Sequence, residues 1–531
     1  MSNMLGVMFD CSRNAVMNVE SVKRYADILK KMGYNTIMLY TEDTYEVDNQ
    51  PLFGYMRGRY TKDEMKEIDD YCYNLGIEVV PCIQTLAHLN CIFKWYCEYD
   101  EIRDCDDILL VEEEKTHKLI DDMLKTLSEC FRSRKIHIGM DEAGMVGFGK
   151  YKNKHGFKDR FEIINDHLHK VCEIASKYNY KPMLWSDMFC NLALGTFMYE
   201  DQKFDLEKVK EKAKLPENVT LVYWDYYSKD YNRYDQRLKL NKAFGTDVCF
   251  AGGAWTWKGF MPDNQFSLDT TEPALKACED NDVKDVFFTV WGDDGNECSF
   301  FSILPSLMYG AELYRGNNDM DSIKKKFKEI VGSDFDSFMI LDDVDKPNGE
   351  NEDGNDRPNK YILYNDLLMG LNDWRCSEKD EVYYENLAKK IANAPDKGDF
   401  AYLFDTLQKL CEIFSIKVNL GNRIRKAYLE KDMKELKKLA ETCDTVIERM
   451  KEFHKVYQKQ WFFDNKPFGF DIQDIRIGGT IQRIKSCKER ILDFADGKVD
   501  KIPELDVERV ESRTLAMWSR TVSPNVISHV F

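Results

Sequence analysis

The sequence predicts an α/β fold: a (β/α)8 TIM barrel over residues 1–318, followed by an all-helical domain over residues 319–531. Three observations favour this prediction. Eight short apolar segments alternate with helical segments in the first part of the chain, which is typical of parallel βαβ units. Polar and aromatic residues cluster where these segments end. Towards the C-terminus, helical periodicity replaces this alternation.

The predicted strands are short runs of β-branched, aliphatic and aromatic residues bounded by helix and turn signals. They cover residues 5–9, 35–40, 77–83, 135–140, 182–185, 219–226, 248–254 and 283–291. Between them, Gly33 and Gly76 are helix stops, and Thr61-Lys-Asp-Glu64 has the pattern of a capping box. A doubly wound open sheet is the alternative, but no Gly-rich phosphate loop follows the first strand.

The composition restricts the ligand and the compartment. The formal net charge of −18 argues against nucleic acid or an anionic membrane as the main partner, and fits a neutral polar ligand better. No apolar run approaches the roughly 20 residues that span a bilayer. The N-terminal segment lacks the regions of a signal peptide. The sixteen cysteines are scattered, so reduced thiols and a cytoplasmic location are expected.

Functional side chains in such a barrel lie at the carboxyl ends of the strands. The predicted ends carry acids, histidines and rings: Asp10 and Arg13, Glu42 and Asp43, Gln84 and His88, Asp141 and Glu142, Trp185 and Asp187, Tyr223 to Tyr226, Trp255 and Trp257, and Trp291, Asp293 and Asp294. Aromatic walls with a few acids suit a sugar, because its C–H faces stack on rings while its hydroxyls need hydrogen-bond acceptors.

Two adjacent acids, Asp141 and Glu142, follow the fourth strand. Like charges this close raise one of the two pKa values. That shift is useful when one carboxyl must stay protonated as a general acid while its neighbour stays ionised. A solvated Asp-Glu turn is the simpler interpretation of the pair alone, but the aromatic strand ends around it favour a catalytic one.

The segment His137-Ile-Gly-Met-Asp141-Glu142 resembles the H-x-G-x-D-E signature of glycoside hydrolase family 20, the β-N-acetylhexosaminidases. Residues 7–14 and 35–43 look like the first two strands of that family. Later positions also resemble its substrate pocket, namely Trp185, Tyr223-Trp-Asp225 and Trp291-Gly-Asp293. The resemblance is greatest to compact bacterial exo-β-N-acetylglucosaminidases with a helical C-terminal domain.

This resemblance implies retaining, substrate-assisted hydrolysis of a terminal N-acetylhexosamine. The acetamido oxygen of the substrate attacks the anomeric carbon and gives an oxazolinium intermediate. Glu142 corresponds to the general acid and later the base, and Asp141 to the residue that orients the acetamido group. Tyr223 would donate its hydroxyl to the acetamido carbonyl. The resemblance implies neither a covalent glycosyl-enzyme nor a cofactor nor a metal.

The resemblance also implies a set of sugar contacts. They are Asp225 for a sugar hydroxyl, Trp185, Trp257 and Trp291 as walls, Asp293 for the distal hydroxyls, and His88 and His137 as hydrogen-bond partners of the acid pair. Trp255 shares the strand parity of Trp257, so either is a candidate wall, and a core role is the alternative for each histidine. The family usually has an arginine where this chain has Leu5. The expected N-acetylglucosamine preference therefore has a galactosaminide preference as its alternative.

The expected partner is an oligosaccharide or glycoconjugate that ends in N-acetylhexosamine, and the helical domain offers a homodimer surface. Two other function classes compete with the hydrolase. One is a carbohydrate-binding barrel that has lost catalysis. The other is a metal-dependent hydrolase that uses His137, Asp141 and Glu142, although no second histidine lies at ligand spacing.

Overall fold

The computed structural model describes residues 3–195, 204–212, 214–347, 349 and 357–511. The last part of the predicted helical domain, residues 512–531, lies outside the described residues. Within the described ranges, none of the helices has both the length and the apolar character that crossing a bilayer requires.

Eight parallel strands close into a barrel in chain order, which confirms the predicted fold class. The strands are β1 (Leu5–Asp10), β2 (Thr36–Tyr40), β3 (Glu78–Cys82), β4 (Lys135–His137), β5 (Lys181–Trp185), β6 (Thr220–Trp224), β7 (Asp247–Gly253) and β8 (Val286–Val290). The pairing of Leu5 with Val286 between β1 and β8 closes the barrel. Strand β4 is shorter than predicted, because the backbone turns into the left-handed region at Gly139.

Helices connect these strands. They are α1 (Val19–Met32), α2 (Lys62–Leu75), α3 (Asn90–Phe93), α4 (Tyr96–Tyr99), α5 (Glu114–Cys130), α6 (Lys150–His155), α7 (Arg160–Ser176), α8 (Asp187–Leu194), α9 (Leu206–Lys212), α10 (Tyr231–Lys242), α11 (Asn264–Asp280) and α12 (Leu304–Tyr314). The predicted helix signals are confirmed. Gly33 and Gly76 end α1 and α2 in the left-handed conformation, and Thr61 and Glu64 form the capping box of α2.

Alternate strand positions point into the lumen of the barrel, where they form one apolar cluster. Its members are Met4, Met8, Met38, Tyr40, Val80, Cys82, Met183, Trp185, Val222, Cys249, Ala251 and Phe287, with Trp224 and Trp291 packed against it. The lumen is therefore a filled core below the strand ends. On β6, Val222 and Trp224 belong to this lumen cluster, so their neighbours in the sequence point to the helices outside.

The chain divides into two compact units. The first comprises Met1–Trp255, Phe266–Gly292 and Ser306–Asp319, and the second comprises Thr256–Gln265, Asp293–Pro305 and Met320–Phe531. The helices of the second unit are α13 (Met320–Val331), α14 (Phe335–Met339), α15 (Pro358–Tyr364), α16 (Glu378–Ala392), α17 (Ala401–Lys417), α18 (Leu420–Leu429), α19 (Met433–Asp464), α20 (Phe470–Ala495) and α21 (Pro503–Asp506). Its core includes a buried ion pair between Lys360 and Glu297, to which Arg476 adds a 2.8 Å contact.

Candidate active site

The acid pair lies on the turn that follows β4. Gly139, Met140 and Glu142 all have positive φ angles, of 74°, 72° and 49°. A left-handed conformation costs roughly 1–2 kcal/mol for a residue with a side chain. Glycine is required at position 139 for a second reason, since a Cβ there would lie 2.0 Å from Oε1 of Gln84. The glycine of the sequence motif therefore makes room for a neighbouring side chain.

That side chain, Gln84, holds the acid turn in place from the end of β3. Its amide nitrogen donates to Oδ1 of Asp141 at 2.6 Å and to the hydroxyl of Tyr40 at 2.8 Å. Its carbonyl oxygen accepts the backbone N–H of Met140 at 3.1 Å. Asp141 is thus fixed against a buried network, whereas Glu142 has no comparable tether on its carboxyl.

His88, on the loop after β3, supplies the positive charge of the site. Its Nε2 lies 3.1 Å from Oδ2 of Asp141 and 3.6 Å from Oε2 of Glu142. Burial opposes the charge of His88, but the nearby carboxylates of Asp141 and Glu42 outweigh burial and raise the pKa of His88 to about 10. His88 is therefore an imidazolium at neutral pH.

The two acids titrate in opposite directions. Burial alone would raise the pKa of Asp141, but the charge of His88 and the hydrogen bond from Gln84 lower it below the ordinary value. Partial burial and the charge of Asp141 raise the pKa of Glu142. The side chain of Glu142 is 61% exposed and that of Asp141 is 12% exposed. The exposed acid is therefore the one that keeps its proton to higher pH.

His137 is fully buried at the end of β4. Its Nδ1 accepts the backbone N–H of Gly139 at 3.1 Å, and its ring packs on Trp185 with centroids 4.3 Å apart. Burial lowers the pKa of His137 to about 3, so the ring is neutral. The sequence left two alternatives for each histidine. His137 has the core role, and His88 is the charged partner of the acids.

Aromatic rings surround the lumen at the level of the acids. Trp291 packs edge-on against Tyr40 at 4.8 Å and lies 6.1 Å from Trp185 between ring centroids. The indole N–H of Trp291 donates to the hydroxyl of Tyr226 at 3.0 Å, and Tyr226 stacks on Trp224 at 5.4 Å. Two predicted walls, Trp185 and Trp291, are thus brought together, and Tyr226 and Trp224 join them.

Trp255 supports this wall from behind. Its indole N–H donates to the backbone carbonyl of Tyr226 at 2.9 Å, and its ring packs on Tyr227 and Phe266. The side chain is almost fully buried. Trp255 therefore holds the loop after β6 in place.

Tyr223 and Asp225 face the helices instead of the lumen, which corrects the sequence-based assignment of both. The hydroxyl of Tyr223 donates to Oδ2 of Asp225 at 3.1 Å. The same oxygen accepts from Arg233 at 2.7 Å and Arg237 at 3.0 Å, both on α10. The two residues do share a strand face, as predicted, but it is the outer face. Trp224, between them, occupies the lumen side.

Trp257 and Asp293 belong to the second unit, and their sugar contacts stay predictions.

Leu5 is buried at the first position of β1, where its backbone N–H donates to Oδ1 of Asn35. At the other end of that strand, Arg13 forms an ion pair of 3.2 Å with Glu42. Arg13, on the loop after β1, is therefore a cation close enough to act on Glu142.

Sequence reasoning left several residues of this site without a role. They are Tyr40, Gln84, Asp187, Trp224 and Tyr226. Gln84 stands directly after one predicted strand and Asp187 two residues after another, so their positions were a usable signal. In the described parts of the chain, no group of three or more His, Cys, Asp or Glu side chains has the geometry to hold a metal ion.

An acid pair with opposed pKa shifts beside a wall of rings, at the strand ends of a barrel, is an arrangement that suits a glycosidase. The family description "Glycosyl hydrolase family 20, catalytic domain" matches residues 5–243, and "Glycoside Hydrolase 20C C-terminal domain" matches residues 336–522. The chain belongs to glycoside hydrolase family 20, and its resemblance to the β-N-acetylhexosaminidases of that family is confirmed.

Curated relatives carry hexosaminidase names. Hexosaminidase D of Bos taurus is 23% identical over 257 residues, 47% of this chain and 70% of the relative. A β-hexosaminidase of Akkermansia muciniphila is 22% identical over 295 residues, 46% of this chain and 59% of the relative. The chain thus spans less than two thirds of the second relative.

Two solved structures with partial similarity to the chain also carry hexosaminidase or glucosaminidase names. An exo-β-N-acetylglucosaminidase of Vibrio harveyi has a TM-score of 0.48 at 15% identity, covering 64% of this chain and 58% of that one. A β-N-acetylhexosaminidase of Bacteroides fragilis has a TM-score of 0.47 at 18% identity, covering 62% of this chain and 70% of that one.

Proposed function

We propose that this protein is an exo-acting, retaining β-N-acetylhexosaminidase that removes terminal non-reducing N-acetylglucosamine by substrate-assisted catalysis. The observation that carries the proposal is the opposed titration of two adjacent acids. Asp141 is paired with His88 and has a lowered pKa, while the exposed Glu142 has a raised pKa. Two carboxyls whose environments push their pKa values apart mark an acid and its ionised partner.

In the first step, the acetamido oxygen of the substrate bonds to the anomeric carbon as the glycosidic C–O bond breaks. The proton of Glu142 passes to the departing oxygen, so the aglycone leaves as an alcohol. The ionised Asp141 accepts the acetamido N–H and stabilises the positive charge of the oxazolinium. Because the nucleophile is part of the substrate, its proximity to the anomeric carbon needs no further protein group.

In the second step, water attacks the anomeric carbon as its bond to the acetamido oxygen breaks. The Glu142 carboxylate takes the proton from this water and is restored as an acid. Two inversions at one carbon give net retention. The exposed position of Glu142 supports this role, since both the aglycone and water must reach it.

The lumen-facing groups supply the remaining contacts of the proposal. Trp291, which is only partly buried, is the ring against which the sugar packs, and the buried Trp185 supports it from the lumen. The hydroxyl of Tyr226 takes the role first assigned to Tyr223, as the donor to the acetamido carbonyl. The Arg13–Glu42 pair is the candidate reader of the distal hydroxyls. The natural glycan, the homodimer and the cytoplasmic location stay predictions.

Initial rates on aryl β-glycosides of N-acetylglucosamine, N-acetylgalactosamine and glucose test the proposal. We expect turnover of the two acetamido sugars, with N-acetylglucosamine faster, and inhibition by a thiazoline analogue of the intermediate. Equal hydrolysis of the plain glucoside would exclude substrate assistance, because glucose has no acetamido nucleophile. Tight thiazoline binding without any turnover would instead favour a carbohydrate-binding barrel.

A further inference from the structure

One carboxyl of the site has no role in the mechanism above. Asp187 is the first residue of α8, two residues after the end of β5, and it is 4% exposed. Its Oδ2 accepts the backbone N–H of Glu142 at 3.0 Å. The contact joins the end of β5 to the residue that carries the general acid.

This contact acts on a strained peptide. Glu142 has a φ of 49°, which a residue with a side chain rarely adopts without support from its surroundings. Its carbonyl oxygen accepts the N–H of Gly144 at 2.6 Å, and the Gly144 carbonyl in turn accepts from Arg160. The backbone of Glu142 is therefore held on both sides, with Asp187 as the side-chain partner of its N–H. The carboxyl of Glu142, by contrast, is exposed.

The second oxygen of Asp187 is unusual. Among the described residues, Oδ1 of Asp187 is buried and has no hydrogen-bond partner. A bare, buried carboxylate oxygen is unfavourable, and a proton on it removes that cost. Burial and the charge of Asp141 raise the pKa of Asp187 to about 7. Oδ2 accepts the Glu142 N–H in either protonation state.

We propose that Asp187 is a positioning residue for the reaction: its Oδ2 contact with the Glu142 N–H sets the direction from which the general acid meets the departing oxygen. The inference rests on the proposed function of Glu142. It assigns Asp187 to proton delivery alone, since the contacts of the acetamido group and of the sugar ring come from other residues.

The test compares Asp187→Asn and Asp187→Ala on two N-acetylglucosaminides, one with a dinitrophenyl leaving group and one with a methoxyphenyl leaving group. In Asp187→Ala we expect kcat on the methoxyphenyl substrate to fall by roughly 10- to 100-fold, the effect of a misplaced catalytic group. The activated substrate needs little protonation, so its kcat and both KM values stay nearly unchanged. Asp187→Asn keeps an amide oxygen for the Glu142 N–H and recovers most of the rate.

The pH profile provides a second measurement. The charged groups that act on Glu142 are Asp141 on the same turn, His88 and Asp107 on the loop after β3, and Arg13 on the loop after β1. Asp187 carries a proton below its pKa of about 7, so Asp187→Asn replaces a neutral acid with a neutral amide in that range. In Asp187→Asn the basic limb of kcat/KM should therefore stay in place below that pH, and a limb that moves would contradict a role through the Oδ2 contact.

A matched control is Asp69→Asn, which changes another buried aspartate that accepts a backbone N–H, here from Arg132 on the helical side of the barrel. Equal losses on both substrates in Asp187→Ala, or a leaving-group-dependent loss in Asp69→Asn, would overturn the inference. So would an Asp187→Asn variant as slow as Asp187→Ala. If Asp187→Ala does not fold, the ratio of kcat values on the two substrates and the pH profile of Asp187→Asn still test the inference. Failure of the wild type on both acetamido substrates would instead reject the proposed function.

Discussion

The carboxyl ends of β4 and β6 carry similar kinds of residues in the sequence, but these residues have different surroundings in the fold. Each strand leads into ring-bearing and acidic residues, ending in Asp141-Glu142 on one and in Tyr223-Trp-Asp225 on the other. At β4 the acids lie in a network with Gln84 and His88. At β6 the tyrosine and the aspartate face α10, where two arginines neutralise the carboxylate. A strand-end residue thus needs the correct face as well as the correct position.

Among substitutions at the carboxyl ends of β4 and β6, we expect the largest effect on activity from Glu142→Gln. We expect kcat/KM on a substrate with a poor leaving group to fall by roughly 10²- to 10⁴-fold, the range for loss of a general acid. An activated aryl glycoside should lose much less, because it leaves without a proton. Paired initial-rate measurements decide this. Near-wild-type rates on the poor leaving group would remove Glu142 from the mechanism.

Asp141→Asn should be the next most damaging change, with a fall in kcat of roughly 10²- to 10³-fold, since a preorganised charge no longer faces the oxazolinium. It should also shift the pH profile. The charge of Asp141 raises the pKa of Glu142 and keeps the acid protonated to higher pH. Without that charge the pKa falls, so the basic limb of kcat/KM moves to lower pH. A limb that stays in place would contradict the coupling of the two acids.

The corresponding acid of β6 should behave in the opposite way. Asp225→Asn leaves Arg233 and the buried Arg237 without their carboxylate. We expect the free energy of unfolding to fall by roughly 3 kcal/mol, as for other broken buried pairs, while kcat of the folded enzyme changes little. Denaturant unfolding and kinetics on the same preparation measure both. A large loss of kcat with unchanged stability would return Asp225 to the sugar site.

The smallest contrast concerns two tyrosines three residues apart. Tyr226→Phe removes the hydroxyl that accepts from Trp291, and should lower kcat/KM by about tenfold, the value of one hydrogen bond to a substrate. Tyr223→Phe removes only the hydroxyl that donates to Asp225, so its kcat/KM should match the wild type. The opposite ranking of the two variants would show that the outer face of β6 takes part in binding.

The order of the strands and the position of the acid pair could be predicted from the sequence, because strand and helix periods differ and the motif is local. The face of β6 could not be predicted. A parallel barrel strand is buried on both sides, so the run Leu221-Val-Tyr-Trp224 is apolar at every position. Hydrophobicity therefore does not show which of these residues face the lumen and which face the helices. The roles of Gln84 and Asp187 depend on contacts between strands that are distant in the sequence, 57 and 45 residues from their partners on the acid turn.

The ring cluster around the acids should also make ligand binding visible in the intrinsic tryptophan fluorescence of the protein. Three indoles, those of Trp185, Trp224 and Trp291, contact one another or Tyr226 at the level of the acids. A sugar packed on these rings displaces water from Trp291 and Trp224, which are only partly buried. Intrinsic emission should therefore shift on ligand binding, so an unlabelled glycan could be screened as a ligand even where it releases no coloured product.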